Sequence, residues 1–100
     1  MTIIYITCKD EEEAVKISKH LINKRLIACS NMYPIRSMYK WQGKLQDEKE
    51  FVLMAKTIEK NYGKIKEEVK KIHSYDVPCI LKIEAEANES YDKWVNEEVK

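Results

Sequence analysis

The sequence contains few glycines and prolines, the residues that most often interrupt helices and strands. Its 100 residues include only two glycines and two prolines, which excludes collagen-like and linker-rich architectures. Neither sign of charge prevails, because 18 lysines and arginines are set against 17 aspartates and glutamates, for a formal net charge of +1. Such a balance does not favour nucleic acid or a membrane as a partner. No apolar run approaches the roughly 20 residues that span a bilayer.

The spacing of the three cysteines excludes two common uses of this residue. Cys8, Cys29 and Cys79 form no CxxC pair and match no zinc-finger spacing. The chain runs directly into Thr2–Ile6, without the basic segment and long apolar stretch of a secretory signal. We therefore expect a cytoplasmic location, where thiols stay reduced.

The apolar content is sufficient for one core. Hydrophobic residues make up 44% of the chain, which predicts a single domain over residues 1–100. At this length folding buries only about 60–65% of the surface of the unfolded chain. We therefore expect a partner chain to contribute stability.

The order of the periodic segments predicts an α+β fold. A β-branched strand over Thr2–Cys8 precedes a helix that Asp10 caps. Two apolar runs flank Gln42–Gly43 and predict a long central hairpin, with a bulge or kink at Pro34. The remaining elements are a helix over residues 58–72, a strand over residues 79–85 and a helix over residues 89–99.

This βαββαβ order with a C-terminal helix predicts a ferredoxin-like sandwich. The hairpin strands exceed the usual length of about five or six residues, so the hairpin should project from the body of the domain. An RNA-recognition module shares this order, but it needs aromatic residues on the central strands and a basic rim. The near-neutral charge balance argues against that function.

Few side chains offer chemistry, and each has a structural alternative. His73, Tyr75 and Cys79 lie within seven positions and could ligate a soft or borderline divalent metal, although His73 could instead cap a helix. Lys56 interrupts an apolar strand, either as a guard against edge aggregation or as an anion ligand in a cleft. Tyr39 and Trp41 on the hairpin cannot be covered by so small a core, which indicates an interface or a ligand cleft.

These residues occur in blocks that together resemble the CutA divalent-cation tolerance family. The first block is Leu26–Asn31 followed by Pro34, Ser37, Tyr39, Trp41 and Gly43, which resembles the family's LAACVN..P..S.Y.W.GK pattern. Three further blocks follow in order, namely Glu50–Thr57 (E..L..KT), His73–Ile80 (HPYxxPEI) and Tyr91 with Trp94 (Y..W). The resemblance covers essentially the whole chain.

The resemblance implies a ferredoxin-like protomer in a homotrimer, similar in design to the nitrogen-regulatory P-II proteins. It also implies a role linked to divalent metals, copper especially. We expect a metal or small ligand to bind at clefts between subunits, and a metal to bind weakly there because His73 and Cys79 alone leave its coordination incomplete. We expect a binding protein rather than an enzyme. The residues carried over are Tyr39, Trp41, Lys56 and Tyr75 for the ligand, and His73 and Cys79 for the metal.

Three departures from the family pattern bear on this expectation. Ser74 replaces a proline, Cys79 replaces a glutamate, and Ala87–Asn88 stand where a glycine usually precedes the last helix. A thiol is softer than a carboxylate and suits Cu(I) better. The copper site of some bacterial members corresponds here to Ile6, Ile72 and His73, of which only His73 matches.

Two other classes of function remain open. An acylphosphatase-type hydrolase shares the βαββαβ order, but it needs an arginine and free backbone amides after the first strand, where this chain has Cys8–Asp10. A purely structural assembly module would bind no ligand at all.

Overall fold

The computed structural model describes residues 1–100 and contains four strands and three α-helices. The predicted α+β class and order of elements are confirmed. In chain order the elements are β1 Thr2–Cys8, α1 Glu11–Asn23, β2 Cys29–Trp41, β3 Lys44–Thr57, a 3-10 turn Glu59–Asn61, α2 Tyr62–Ile72, β4 Ile80–Glu84 and α3 Glu89–Glu98. None of the helices combines the length and apolarity that crossing a bilayer requires.

The strands form one antiparallel sheet in the order β2-β3-β1-β4. Alternate residues of β1 are fully buried, because strand side chains point to opposite faces in turn. On the buried face Ile4 and Ile6 join Leu53 of β3 and the apolar sides of α1 and α2 in one core cluster. Asp10 caps α1 as predicted, accepting a hydrogen bond from the Glu13 N–H at 2.9 Å.

The hairpin extends well past the rest of the sheet. The pairing between β1 and β3 covers only Phe51–Thr57 of β3, so β3 from Lys44 to Glu50 pairs with β2 alone. We call this two-stranded part, residues 35–50, the ribbon. Gln42 (φ 51°) and Gly43 (φ 79°) close it with the two positive-φ residues of a tight hairpin turn. The predicted turn and projection are confirmed, and the molecule measures 45 × 25 × 21 Å.

The structure has no bulge at Pro34, so that part of the prediction is wrong. The register runs without interruption from Cys29↔Lys56 to Trp41↔Lys44, with Pro34 directly opposite Phe51. Because β2 is an edge strand, a residue without an N–H can be accommodated there with no break in the ladder.

The face of the sheet opposite α1 and α2 keeps apolar side chains in contact with solvent. Leu81 and Ile83 of β4, 49% and 42% exposed, pair in register with Tyr5 and Ile3, the β1 residues that alternate with the buried ones. Tyr33 on β2 is 40% exposed. We call this surface the open face.

Candidate functional site

A groove of about 670 Å³ lies between the ribbon and the loop that joins α2 to β4. Its volume is in the usual range for small-molecule sites. The side chains that line it are Thr7, Ser37, Met38, Tyr39, Trp41, Gln46, Glu48, Glu50, Ser74, Tyr75, Asp76, Val77 and Cys79.

Four of the six side chains proposed from the sequence line this groove: Tyr39, Trp41, Tyr75 and Cys79. Lys56 does not. It lies six residues beyond Glu50 along β3, which at the rise of an extended strand is roughly 20 Å. Because β3 is an inner strand of the sheet, Lys56 cannot guard a sheet edge either, and that interpretation is wrong.

Three carboxylates that the sequence analysis missed give the groove its charge. Glu48, Glu50 and Asp76 all line it, and no lysine, arginine or histidine does. Glu50 is only 6% exposed. The alternation of strand side chains puts Glu48 and Glu50 on one face of β3, which was the available signal. The loop with Asp76 lies opposite these two glutamates only because of tertiary packing, which no local pattern predicts.

Two of these carboxylates accept hydrogen bonds from tyrosines. The Tyr75 hydroxyl donates to Oε2 of Glu50 at 2.5 Å, and the Tyr39 hydroxyl donates to Oε2 of Glu48 at 3.1 Å. Burial and the adjacent Glu50 raise the pKa of Tyr75. Desolvation and Glu48 raise the pKa of Tyr39. Both phenols therefore remain protonated donors, and each leaves one carboxylate oxygen without a hydrogen-bond partner.

His73 lies behind the groove wall, with a fully buried side chain. Its Nε2 lies 2.8 Å from the carbonyl oxygen of Thr7, and its Nδ1 accepts from the Tyr75 N–H at 3.0 Å. These partners assign the proton to Nε2. The ring also packs at 4.8 Å from that of Tyr75. His73 thus ties the loop to β1 and orients Tyr75, and both of its nitrogens are occupied by the backbone.

Glu13 fixes the same loop from the side of α1. Its Oε1 accepts from the Lys9 N–H at 2.9 Å and its Oε2 from the Ser74 N–H at 3.0 Å. Burial alone would raise the pKa of Glu13, but the hydrogen bonds from Lys9 and Ser74 outweigh it and lower the pKa. The carboxylate is therefore charged and clamps the start of the loop.

One group of three potential metal ligands exists, namely Cys8, Glu13 and His73, whose ligand atoms lie within 4.8 Å of one another. It is poorly suited to an ion, since the Glu13 oxygens and the His73 nitrogens already have partners. Burial, with a smaller effect from Glu13, raises the pKa of Cys8 to about 12, so the thiol stays protonated.

Cys79 stands apart from that group, on the groove wall. It shares the groove with Met38, so two sulfur-bearing side chains line it. Burial and then Glu50 raise the pKa of the Cys79 thiol. A metal that binds there must therefore displace a proton.

A family model, curated relatives and solved structures all match this chain to one protein family. A family model described as "CutA1 divalent ion tolerance protein" matches residues 2–98. The chain is 44% identical over 101 residues to the "Divalent-cation tolerance protein CutA" of Pyrococcus horikoshii, covering 100% of this chain and 99% of the relative. It is 40% identical over 97 residues to the protein of the same name from Archaeoglobus fulgidus, covering 96% and 95%. The crystal structure of CutA1 from Pyrococcus horikoshii superposes with a TM-score of 0.96 at 42% identity, over 100% of this chain and 99% of that one.

Proposed function

This chain belongs to the CutA1 divalent ion tolerance family, and from that premise we propose that it is a homotrimer that binds divalent cations, copper above all, in the groove beside the ribbon. The observation that carries the proposal is the lining of the groove. It has three carboxylates, a thiol and a thioether, and no basic side chain. Such a site attracts cations and offers the soft donors that copper prefers.

The assembly part of the proposal is supported by surfaces that one chain leaves uncovered. The sheet has two edge strands, β2 and β4, and unprotected edges invite pairing with another chain. The open face carries apolar side chains, and the ribbon exposes Met38 (61%) and Trp41 (44%). The strand order β2-β3-β1-β4 is compatible with a ferredoxin-like protomer. We propose that each ribbon extends the sheet of a neighbour and closes one side of its groove.

The metal part of the proposal assigns Cys79 as the principal ligand and Met38 as a second soft donor. Glu48 and Glu50 contribute negative charge, and each has an oxygen free of hydrogen bonds. His73 can join the ligand set only by giving up a bond to the backbone of Thr7 or Tyr75. Affinity is therefore expected to be weak, as an incomplete set of protein ligands implies.

The proposal contains no catalytic step. An acylphosphatase-type reaction needs backbone N–H groups free to hold phosphate after the first strand. Here the Lys9 N–H is taken by Glu13 and the Glu13 N–H by Asp10, which argues against that alternative. An acyl-phosphate hydrolysis assay on the purified protein is expected to give no activity above background.

The proposal also places the protein in a reducing compartment such as the cytoplasm. All three cysteines are free, and a Cys79 ligand must remain reduced to bind copper. Detection of the protein in a fractionated cell extract would check this directly.

Native mass spectrometry tests the proposal as a whole, by recording mass with and without added copper. We expect a trimer that takes up copper in steps of up to three ions. A trimer that takes up none would support the structural-module alternative. A monomer would contradict the assembly part.

A further inference from the structure

Besides its two sulfur atoms, the groove combines aromatic rings with carboxylates. The aromatic rings of Tyr39, Trp41 and Tyr75 line it together with Glu48 and Glu50. We propose that the groove binds a small organic ammonium ion, such as a linear amine, between aromatic rings and carboxylates. The inference rests on the proposed role of the groove as the ligand site and names a class of ligand for it.

Charge is the first argument. The lining includes three carboxylates and no positively charged side chain. None of the three takes part in an ion pair, although ten such pairs occur elsewhere in the structure. Glu50 is 6% exposed, and a carboxylate this buried is rarely found without a cationic partner. The missing partner is expected to come from a ligand.

The tyrosines provide the second argument, because they hold the carboxylates in fixed positions. The hydroxyl of Tyr75 occupies Oε2 of Glu50, and that of Tyr39 occupies Oε2 of Glu48. The other oxygen of each carboxylate accepts no hydrogen bond from the chain. An ammonium group carries several N–H donors and can satisfy such oxygens while its positive charge is balanced.

The aromatic rings discriminate between an ammonium ion and a hard metal ion. Calcium and magnesium require six or more oxygen ligands at short distance, and ring faces supply none. Ammonium groups are attracted to the faces of tryptophan and tyrosine rings. The methylene groups of an amine also bury favourably against them, and a groove of about 670 Å³ has room for several carbon atoms.

Tryptophan fluorescence gives a direct test, because the sequence has only two tryptophans. In a Trp94→Phe background Trp41 in the groove is the sole reporter. We expect titration with butane-1,4-diamine to change its emission saturably. Butane-1,4-diol, a neutral analogue of the same length, is expected to give no saturable change. Equal binding of the diol would overturn the proposal, since charge would then not matter.

Isosteric variants locate the site. Glu50→Gln and Glu48→Gln keep size and remove charge, and each is expected to weaken diamine binding by at least about tenfold. If Glu50→Gln disturbs folding, Glu48→Gln still tests the site, because Glu48 is exposed and its replacement does not affect the core. The matched control is Glu86→Gln, an exposed glutamate outside the groove, which is expected to leave binding unchanged. Binding that survives both groove substitutions would overturn the proposal.

A parallel copper titration of the same protein separates this inference from the proposed function. Copper uptake without any diamine response would overturn the amine proposal and leave the metal role standing. A diamine response that copper competes away is expected, since both cations would occupy one groove. The absence of both responses would contradict the inference and the proposed function together.

Discussion

The backbone N–H of Ser74 donates a hydrogen bond of 3.0 Å to Oε2 of Glu13, sixty-one positions away in the chain. The CutA pattern that this loop resembles has a proline at this position, and proline has no N–H to donate. The serine therefore creates a clamp between the loop and α1 that the family pattern lacks. The clamp holds the loop that carries Tyr75 and Cys79 into the groove.

Replacing Ser74 with proline is expected to destabilise the protein by about 1.5–3 kcal/mol, the usual contribution of a hydrogen bond to a charged group. The preceding residue does not oppose the change, because His73 already has the extended conformation (φ −78°, ψ 142°) that a following proline requires. Chemical denaturation at fixed protein concentration measures the effect. Ser74→Ala keeps the N–H and is the control, and equal stability of the two variants would contradict the clamp.

Removing the ring of Trp41 is expected to weaken the proposed trimer. The side chain is 44% exposed at the end of the ribbon, and we expect a neighbouring chain to bury it. Loss of a buried tryptophan costs about 3–5 kcal/mol, so Trp41→Ala should dissociate at concentrations where the unmodified protein stays assembled. Analytical ultracentrifugation measures this, with Lys44→Ala at the same turn as the control. A Trp41→Ala trimer of unchanged stability would place the ring outside the interface.

Copper binding is expected to depend on Cys79 and on pH. Burial and Glu50 raise the pKa of the thiol, so at neutral pH each bound ion must release a proton. Affinity should then rise by about tenfold per pH unit until the thiol ionises, and fall as pH decreases. Isothermal titration between pH 6 and pH 8 checks this slope. Cys79→Ser should abolish the slope and weaken binding, whereas Cys8→Ser, a buried cysteine outside the groove, should change neither. Unaltered binding by Cys79→Ser would place the metal elsewhere.

Acid stability is expected to depend on Glu68 of α2. Hydrogen bonds from His20 and then Lys71 lower the pKa of Glu68 to about 2. Because the folded pKa lies below the unfolded value of about 4.3, this stabilisation is complete above that value and is lost as pH falls toward 2. Glu68→Gln should lower stability at neutral pH and flatten the loss between these limits.

The acid-induced loss should not vanish in Glu68→Gln, because the pKa of Glu13 is lowered as well. Denaturation curves recorded across this pH range provide the measurement. Glu67→Gln is the matched control, since that carboxylate is exposed on the adjacent position of the same helix. A Glu68→Gln profile parallel to that of the unmodified protein would contradict the assignment.

The sequence alone determined the elements of secondary structure, because their signals are local. Asp10 before three glutamates specified the start of α1, and Gln42–Gly43 specified the turn of the hairpin. The blocks shared with the CutA pattern indicated the family, which the comparisons confirm. The length of the hairpin strands also identified Tyr39 and Trp41 as residues that a small core cannot cover.

Tertiary structure decided everything that depends on residues distant in the chain. The position of β2 at the sheet edge allowed Pro34 to lie within an uninterrupted ladder, and burial in the core raised the pKa of Cys8. The local pattern shows only that Glu48 and Glu50 share one face of β3. The pairing of Tyr75 with Glu50, twenty-five positions apart, brings the loop opposite them and so forms the acidic groove. Strand register and helix packing fix such distances, and both are properties of the whole folded chain, since each follows from burying one shared core.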